Sequence, residues 1–112
     1  MSQLILIVED HPIVSESLTR IITDSDLNIQ CLHASNAAKG LAYLNGNYID
    51  LILLDINLPD MNGIEFCKIA KSRFPAQKIL AITTIAQRHV VEKILEQGAD
   101  GFILKTSDVD DI

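Results

Sequence analysis

The sequence predicts an α/β fold: a doubly wound, five-stranded parallel sheet of the flavodoxin-like kind. Three observations predict it. Five short apolar segments each run into polar or turn-forming residues, and the stretches between them carry apolar residues at helical spacing. The strand candidates are apolar at nearly every position, as strands covered by helices on both faces are. At 112 residues with 48% hydrophobic content, the chain suffices for one packed domain and is too short for a second.

The elements follow in order. Residues 4–8 make the first strand, which ends in Glu9 and Asp10. Pro12 suits the opening turn of a helix running to about Thr23, with Ile13, Leu18, Ile21 and Ile22 on one face. Residues 29–33 form a short second strand, and Ser35 or Asn36 caps a helix whose stripe is Ala37, Ala38, Leu41 and Leu44 and whose stop is Asn45, Gly46 and Asn47. The third strand is LILLD, residues 51–55, followed by a loop rich in turn formers, INLPDMNG. Gly63 leads into a helix with Ile64, Cys67, Ile69 and Ala70 inward, closed by Pro75. Residues 78–83 form the fourth strand. Val90, Val91, Ile94 and Leu95 mark a fourth helix, ended at Gly98 by a residue suited to a left-handed cap. Residues 102–104 form the fifth strand, which ends in Lys105. Ser107 with Asp110, and the neighbouring Asp108 and Asp111, resemble the start of a fifth helix cut short at Ile112. A natural protein that continues past this point is the expectation, with a C-terminal output domain absent from this chain. A truncated fifth helix would uncover apolar sheet surface, so homodimerisation or a swap of elements is also an expectation.

Composition excludes several functions. A net charge of −6, with nine scattered basic residues, argues against direct nucleic-acid binding by this segment, which would need phosphates neutralised by Lys and Arg. No apolar run is long enough to span a membrane and no signal peptide is apparent, so a soluble, cytoplasmic chain is expected. Cys31 and Cys67 have no metal-ligand spacing and read as free thiols, buried or half-buried. His11, His33 and His89 read as structural or solvent-facing, and Asp60 as a solvated loop acid.

The strand ends carry the chemistry. Glu9 and Asp10 close the first strand, Asp55 the third, Thr83 the fourth and Lys105 the fifth. In a right-handed doubly wound sheet of order 2-1-3-4-5, the first and third strands flank the switch point, where ligands of open sheets bind, so these side chains converge on one crevice. Three carboxylates there need a cation, and an oxygen-only set points to Mg²⁺. Asp10 and Asp55 are its candidate carboxylate ligands, with the Asn57 carbonyl as a third and Glu9 acting through water. Lys105 would meet an anionic group on Asp55.

Together, Glu9-Asp10, Asp55 in LLDINLPDMNG, Thr83 in ILAITT and Lys105 in GADGFILK resemble the receiver domain of two-component response regulators, across nearly the whole chain. The strand order 2-1-3-4-5 is itself what that resemblance implies. It further implies that Asp55 accepts a phosphoryl group from a phosphohistidine on a sensor histidine kinase, with Mg²⁺ at Glu9, Asp10, Asp55 and the Asn57 carbonyl. Thr83 and Lys105 would bind phosphoryl oxygens, and Phe102 would change rotamer with the switch. Phe102 lacks the hydroxyl of the tyrosine often found there, so the switch would rest on packing. The phrases EDHPIVSESL and EQGADGFILK resemble the LuxR/NarL-type subgroup, whose receiver precedes a helix-turn-helix DNA-binding domain. That implies a transcriptional output through a part of the protein outside this chain.

Three departures from the family pattern stand out. Thr106 follows Lys105 where proline is usual, Thr84 is bulkier than the usual small residue, and Ile85 cannot orient a hydrolytic water. Thr106 makes a cis peptide after Lys105 less expected, and Thr84 and Ile85 imply slow self-dephosphorylation. An aspartyl-phosphate phosphohydrolase would carry a second Asp two residues after its nucleophile, where Asn57 stands, which argues against turnover. A receiver-like interaction module that is never phosphorylated fits poorly with the intact acid pair, Thr83 and Lys105, and a flavin binder would need a Ser/Thr/Gly-rich phosphate loop after the first strand.

Overall fold

The computed structural model describes residues 3–25, 28–83 and 88–104, with the backbone alone at Thr83 and Leu104. The elements are β1 (Gln3–Val8), α1 (Pro12–Ser25), β2 (Ile29–Ala34), α2 (Ala37–Gly46), β3 (Leu51–Asp55), α3 (Gly63–Arg73), β4 (Ile79–Thr83), α4 (Arg88–Glu96) and β5 (Gly101–Leu104). The sheet order is β2-β1-β3-β4-β5, and all four pairings are parallel. Every expected strand is present. Ser107–Asp111, the start of the expected fifth helix, lies outside the described residues.

Alternation along each strand divides the core into two layers. Leu6, Val8, Ile52, Leu54, Ile79 and Ala81 face α2, α3 and α4, where Ala37, Leu44, Phe66, Cys67, Ala70 and Ile94 meet them. Ile5, Ile7, Leu53 and Ile82 face the other way, and Leu18 of α1 packs on them. Both cysteines are free, Cys67 buried and Cys31 half-buried, and burial pushes both thiols up from their usual range.

The helices correct several residue assignments. Ile13 is 75% exposed and Ile21 also faces outward, so the buried side of α1 is Leu18, with Val14 and Ile22 packed beside it. On α2 the inward positions are Ala37, Gly40 and Leu44, and Ala38 is exposed. Phe66, which the spacing did not single out, is the largest fully buried side chain of α3. Leu95 lies largely outside the core of α4, whose buried residue is Ile94. Asn36, not Ser35, caps α2, its side chain accepting from Lys39 N at 2.8 Å. Gly98 adopts φ 105 after α4, as its cap position requires.

Two aspartates stitch the elements together. Asp60 is exposed but not merely solvated: its carboxylate accepts from the N–H groups of Ala37 (2.8 Å) and Ala38 (3.1 Å), fastening the loop after β3 to the N-terminus of α2. Asp100 accepts from Ile79 N at 2.9 Å and pairs with Lys71 at 3.2 Å, joining the starts of β4 and β5 to α3. Both carboxyls titrate below the usual range. For Asp60 the cause is chiefly the Ala37 N–H. For Asp100 burial is the largest single influence and acts upward, but the Ile79 N–H and the ammonium groups of Lys71 and Lys78 together outweigh it.

An unfolded aspartate titrates near ~3.9, so between that value and the lower native one the unfolded chain binds more protons, and stability decreases as the pH is lowered. The contribution is fully present above the unfolded value and is lost as the pH drops through the native one. Urea midpoints measured downward from pH 6 are expected to decline below about pH 4, less steeply in Asp60→Asn and Asp100→Asn. Identical slopes in all three proteins would contradict this.

Candidate functional site

The register of the central strands brings the acids together. Val8 lies opposite Leu54 on the parallel pair β1 and β3, so the next residues, Glu9 and Asp55, emerge side by side at the C-terminal edge. Glu9 N donates to Ala34 O at 2.9 Å, which extends the ladder one residue past β1 and fixes where the turn begins. Glu9 is 4% exposed and Asp55 3%, so two carboxylates are buried next to each other. Asp55 Oδ1 accepts from Asn57 N at 3.1 Å. Asp10 is half-buried, and its Oδ1 is sealed from solvent without a hydrogen bond among the described residues.

The loop after Asp55 is held tightly. Asn57 and Asn62 form an isolated antiparallel bridge, Gly63 N donates to Ile56 O at 2.7 Å, and Asn62 caps α3 by accepting from Ile64 N at 2.8 Å. A side chain at Gly63 would put its Cβ 2.6 Å from Ile56 Cα and 2.7 Å from Asp55 O. Glycine is needed there for this close approach of backbone to backbone.

His11 faces solvent, as expected, and its ring also reaches the acids. Its Nδ1 lies 2.8 Å from Glu9 Oε1 and 3.1 Å from Asp10 Oδ1, and its N–H donates to Glu9 Oε1 at 3.2 Å. One ligand-capable atom from each of Glu9, Asp10, His11 and Asp55 falls within 4.8 Å of the others. The sequence signal for this approach is Pro12, which helical spacing reads only as the start of a helix. By opening α1 directly after His11 it turns the chain back, which returns the imidazole to the acids two and one residues before it. His33 behaves as expected, held against α1 by Ser15 Oγ at 2.5 Å and Thr19 Oγ1 at 3.1 Å. A cleft of ≈ 800 Å³ opens beside Glu9 and Asp10 between α1 and α2, with His33, Lys39 and Tyr43 in its walls.

The other expected site residues divide into two groups. Phe102 lies on β5 opposite Ala81, at the exposed edge of the sheet. The Thr83 backbone ends β4 opposite Leu104 at the end of β5. Lys105, Thr84, Ile85 and Thr106 lie outside the described residues.

The donor set suits a divalent cation. Buried carboxylates in mutual contact repel, and desolvation penalises each of them when ionised. Asp10 Oδ1 is sealed from solvent with no hydrogen bond among the described residues, its near neighbour being the His11 ring nitrogen at 3.1 Å, which leaves this oxygen able to serve as a metal ligand. Hard oxygen donors of this kind hold Mg²⁺-like ions.

Known proteins carry the same arrangement of elements. The 30% identity to the nitrate/nitrite response regulator protein NarL of Escherichia coli (strain K12) extends over 108 residues, 96% of this chain and 50% of that protein. The chain thus spans about half the length of this relative and of others like it. A receiver domain protein (CheY-like) from Methanospirillum hungatei JF-1 superposes with TM-score 0.89 at 31% identity, covering 99% of this chain and 87% of that one. CheY of Borrelia burgdorferi, solved in a complex with CheX, BeF3 and Mg²⁺, superposes with TM-score 0.88 at 27% identity over 97% of this chain and 82% of that one. Residues 5–112 match the family described as the response regulator receiver domain. With that match over nearly its whole length, and with the sheet order and acidic edge of such domains, this chain belongs to the response regulator receiver domain family of signalling modules.

Proposed function

We propose that this chain is a phosphorylation-dependent switch in which Asp55 accepts a phosphoryl group from a phosphohistidine on a sensor histidine kinase. The observation that carries the reading is the convergence of Glu9, Asp10 and Asp55 within 4.8 Å at the end of the two central strands. Glu9, Asp10, Asp55 and the Asn57 carbonyl are the residues that would hold Mg²⁺. When bound, the ion supplies charge neutralisation for the incoming phosphoryl oxygens.

An Asp55 carboxylate oxygen forms the new bond to phosphorus while the bond from phosphorus to the imidazole nitrogen of the donor breaks. A loose phosphoryl-transfer transition state asks for alignment and charge stabilisation more than for a strong nucleophile, which suits a carboxylate. The Asn57 N–H bond to Oδ1 fixes the orientation of that carboxylate. Lys105, next after β5, would pair with one phosphoryl oxygen and Thr83 would hydrogen-bond another.

The product adds about −1.5 to −2 of charge, and the signal leaves through Thr83 and Phe102. The Phe102 side is 43% exposed, so an inward turn of the ring would bury apolar area and favour the phosphorylated state. We read the chain as a receiver domain (residues 1–112), with a transcriptional output domain after it. Its match to half of each of several longer regulators supports this, and one of them is the transcriptional regulatory protein LnrK of Bacillus subtilis. Among the described residues no helix is long and apolar enough to cross a membrane. A cytoplasmic location, the absence of direct nucleic-acid contact by this segment and homodimerisation complete the proposal.

Incubation with acetyl phosphate and Mg²⁺, followed by intact-mass measurement, tests it. The expected result is the mass of one phosphoryl group, absent in Asp55→Asn and absent with EDTA. No adduct on the wild-type chain, or steady release of phosphate, would overturn the reading.

A further inference from the structure

We propose that His11 is a ligand residue that makes this site favour nitrogen-accepting first-row transition ions, Ni²⁺ and Co²⁺ as probes, over Mg²⁺. The inference rests on the reading of Glu9, Asp10, Asp55 and the Asn57 carbonyl as a metal site and adds a nitrogen donor to that oxygen set. Its Nδ1 stands 2.8 Å from Glu9 Oε1 and 3.1 Å from Asp10 Oδ1. Adjacent ligands at right angles on an ion with bonds of about 2.1 Å are separated by about 3.0 Å, so the nitrogen already sits one ligand spacing from two of the carboxylates. All four ligand atoms lie within 4.8 Å, and trans ligands on such an ion would be about 4.2 Å apart, so small side-chain adjustments suffice to close the set.

The position of the imidazole is constrained. His11 O accepts from Ser15 N at 3.0 Å and its N–H donates to Glu9 Oε1, so its backbone is pinned on both sides before Pro12 starts α1. Its side chain is 66% exposed whereas that of Glu9 is 1% exposed, so the ring reaches the acids from the solvent side while Glu9 approaches from below. A carboxylate and carbonyl set suits Mg²⁺. Adding one imidazole leaves Mg²⁺ little changed, because that ion prefers oxygen, and strengthens binding of later first-row ions along the order Mn²⁺ to Ni²⁺.

Dissociation constants for Mg²⁺ and Ni²⁺, by calorimetry on wild type, His11→Ala, His89→Ala and Asp55→Asn, test the inference, with the visible spectrum of the Co²⁺ complex as a second readout. His11→Ala is expected to weaken Ni²⁺ about tenfold or more and Mg²⁺ by less than about threefold, and to alter the Co²⁺ d–d bands; His89→Ala is expected to change neither. Equal losses for the two ions, no loss for Ni²⁺, or a thiolate charge-transfer band placing Co²⁺ on Cys31 would each overturn it. In those cases Mg²⁺ binding lost in Asp55→Asn leaves the receiver reading standing. Mg²⁺ binding indifferent to Asp55→Asn would overturn both.

Discussion

Phe66→Ala is expected to lower the unfolding free energy by about 3–5 kcal/mol, measured by urea denaturation at neutral pH. Phe66 is fully buried on the inner face of α3. Across from it, a Cβ at Gly40 of α2 would lie 3.0 Å from Phe66 Cε2 and 3.1 Å from Val8 Cγ2. The ring therefore fills the space where α2, α3 and β1 meet, and the glycine is what lets α2 approach it. Truncation removes the ring's transfer free energy and leaves a cavity beside Gly40 and Val8 that the surrounding core fills only in part. Domains of this size have a total stability of roughly 5–15 kcal/mol, so the variant should be marginal or unfolded at growth temperature. A loss below about 1.5 kcal/mol would mean that the three elements close over the gap, contrary to the packing described here.

Phe66 also shows where the sequence was hard to read. The five strands were legible because sheet burial on both faces leaves continuous apolar runs, and a run admits few alternatives. Helices bury only a stripe, and which stripe depends on where the helix lies over the sheet. Ile13 was expected to share a face with Leu18, yet it sits in the first turn of α1 and faces solvent. Ala38 was expected inward and is exposed for the same reason, and Phe66 was not singled out because spacing alone does not say which positions of α3 meet the sheet.

The acids of the site were legible because a carboxylate that ends a buried strand has few places to go. Glu9 and Asp55 needed only the pairing of β1 with β3 to meet. His11 was not legible as a neighbour of the acids, since its approach depends on a turn that periodicity does not encode. Asp60 likewise looked like loop charge until tertiary packing brought the N-terminus of α2 to it.

Gly63→Ala is expected to cost about 1–3 kcal/mol of stability and to slow phosphoryl uptake from acetyl phosphate by tenfold or more, up to about 100-fold. Among the described glycines only Gly98 has positive φ, so the demand at Gly63 is for space, not for a special backbone conformation. The added methyl would meet Ile56 Cα at 2.6 Å and the carbonyl oxygen of Asp55 at 2.7 Å. Neither atom belongs to a flexible side chain, so relief requires the backbone that carries Asp55 to move. The Asn57 N–H bond to Asp55 Oδ1 moves with it, and misplacement by about 1 Å is enough to lose most of the benefit of alignment. Gly46→Ala provides the control: nothing lies within 4 Å of its added Cβ at the end of α2, and replacing a helical glycine there should be neutral or stabilising by up to about 1 kcal/mol. Equal stability and equal uptake in the two variants would show that the loop after β3 has slack, and that the orientation of Asp55 does not depend on its contact with α3.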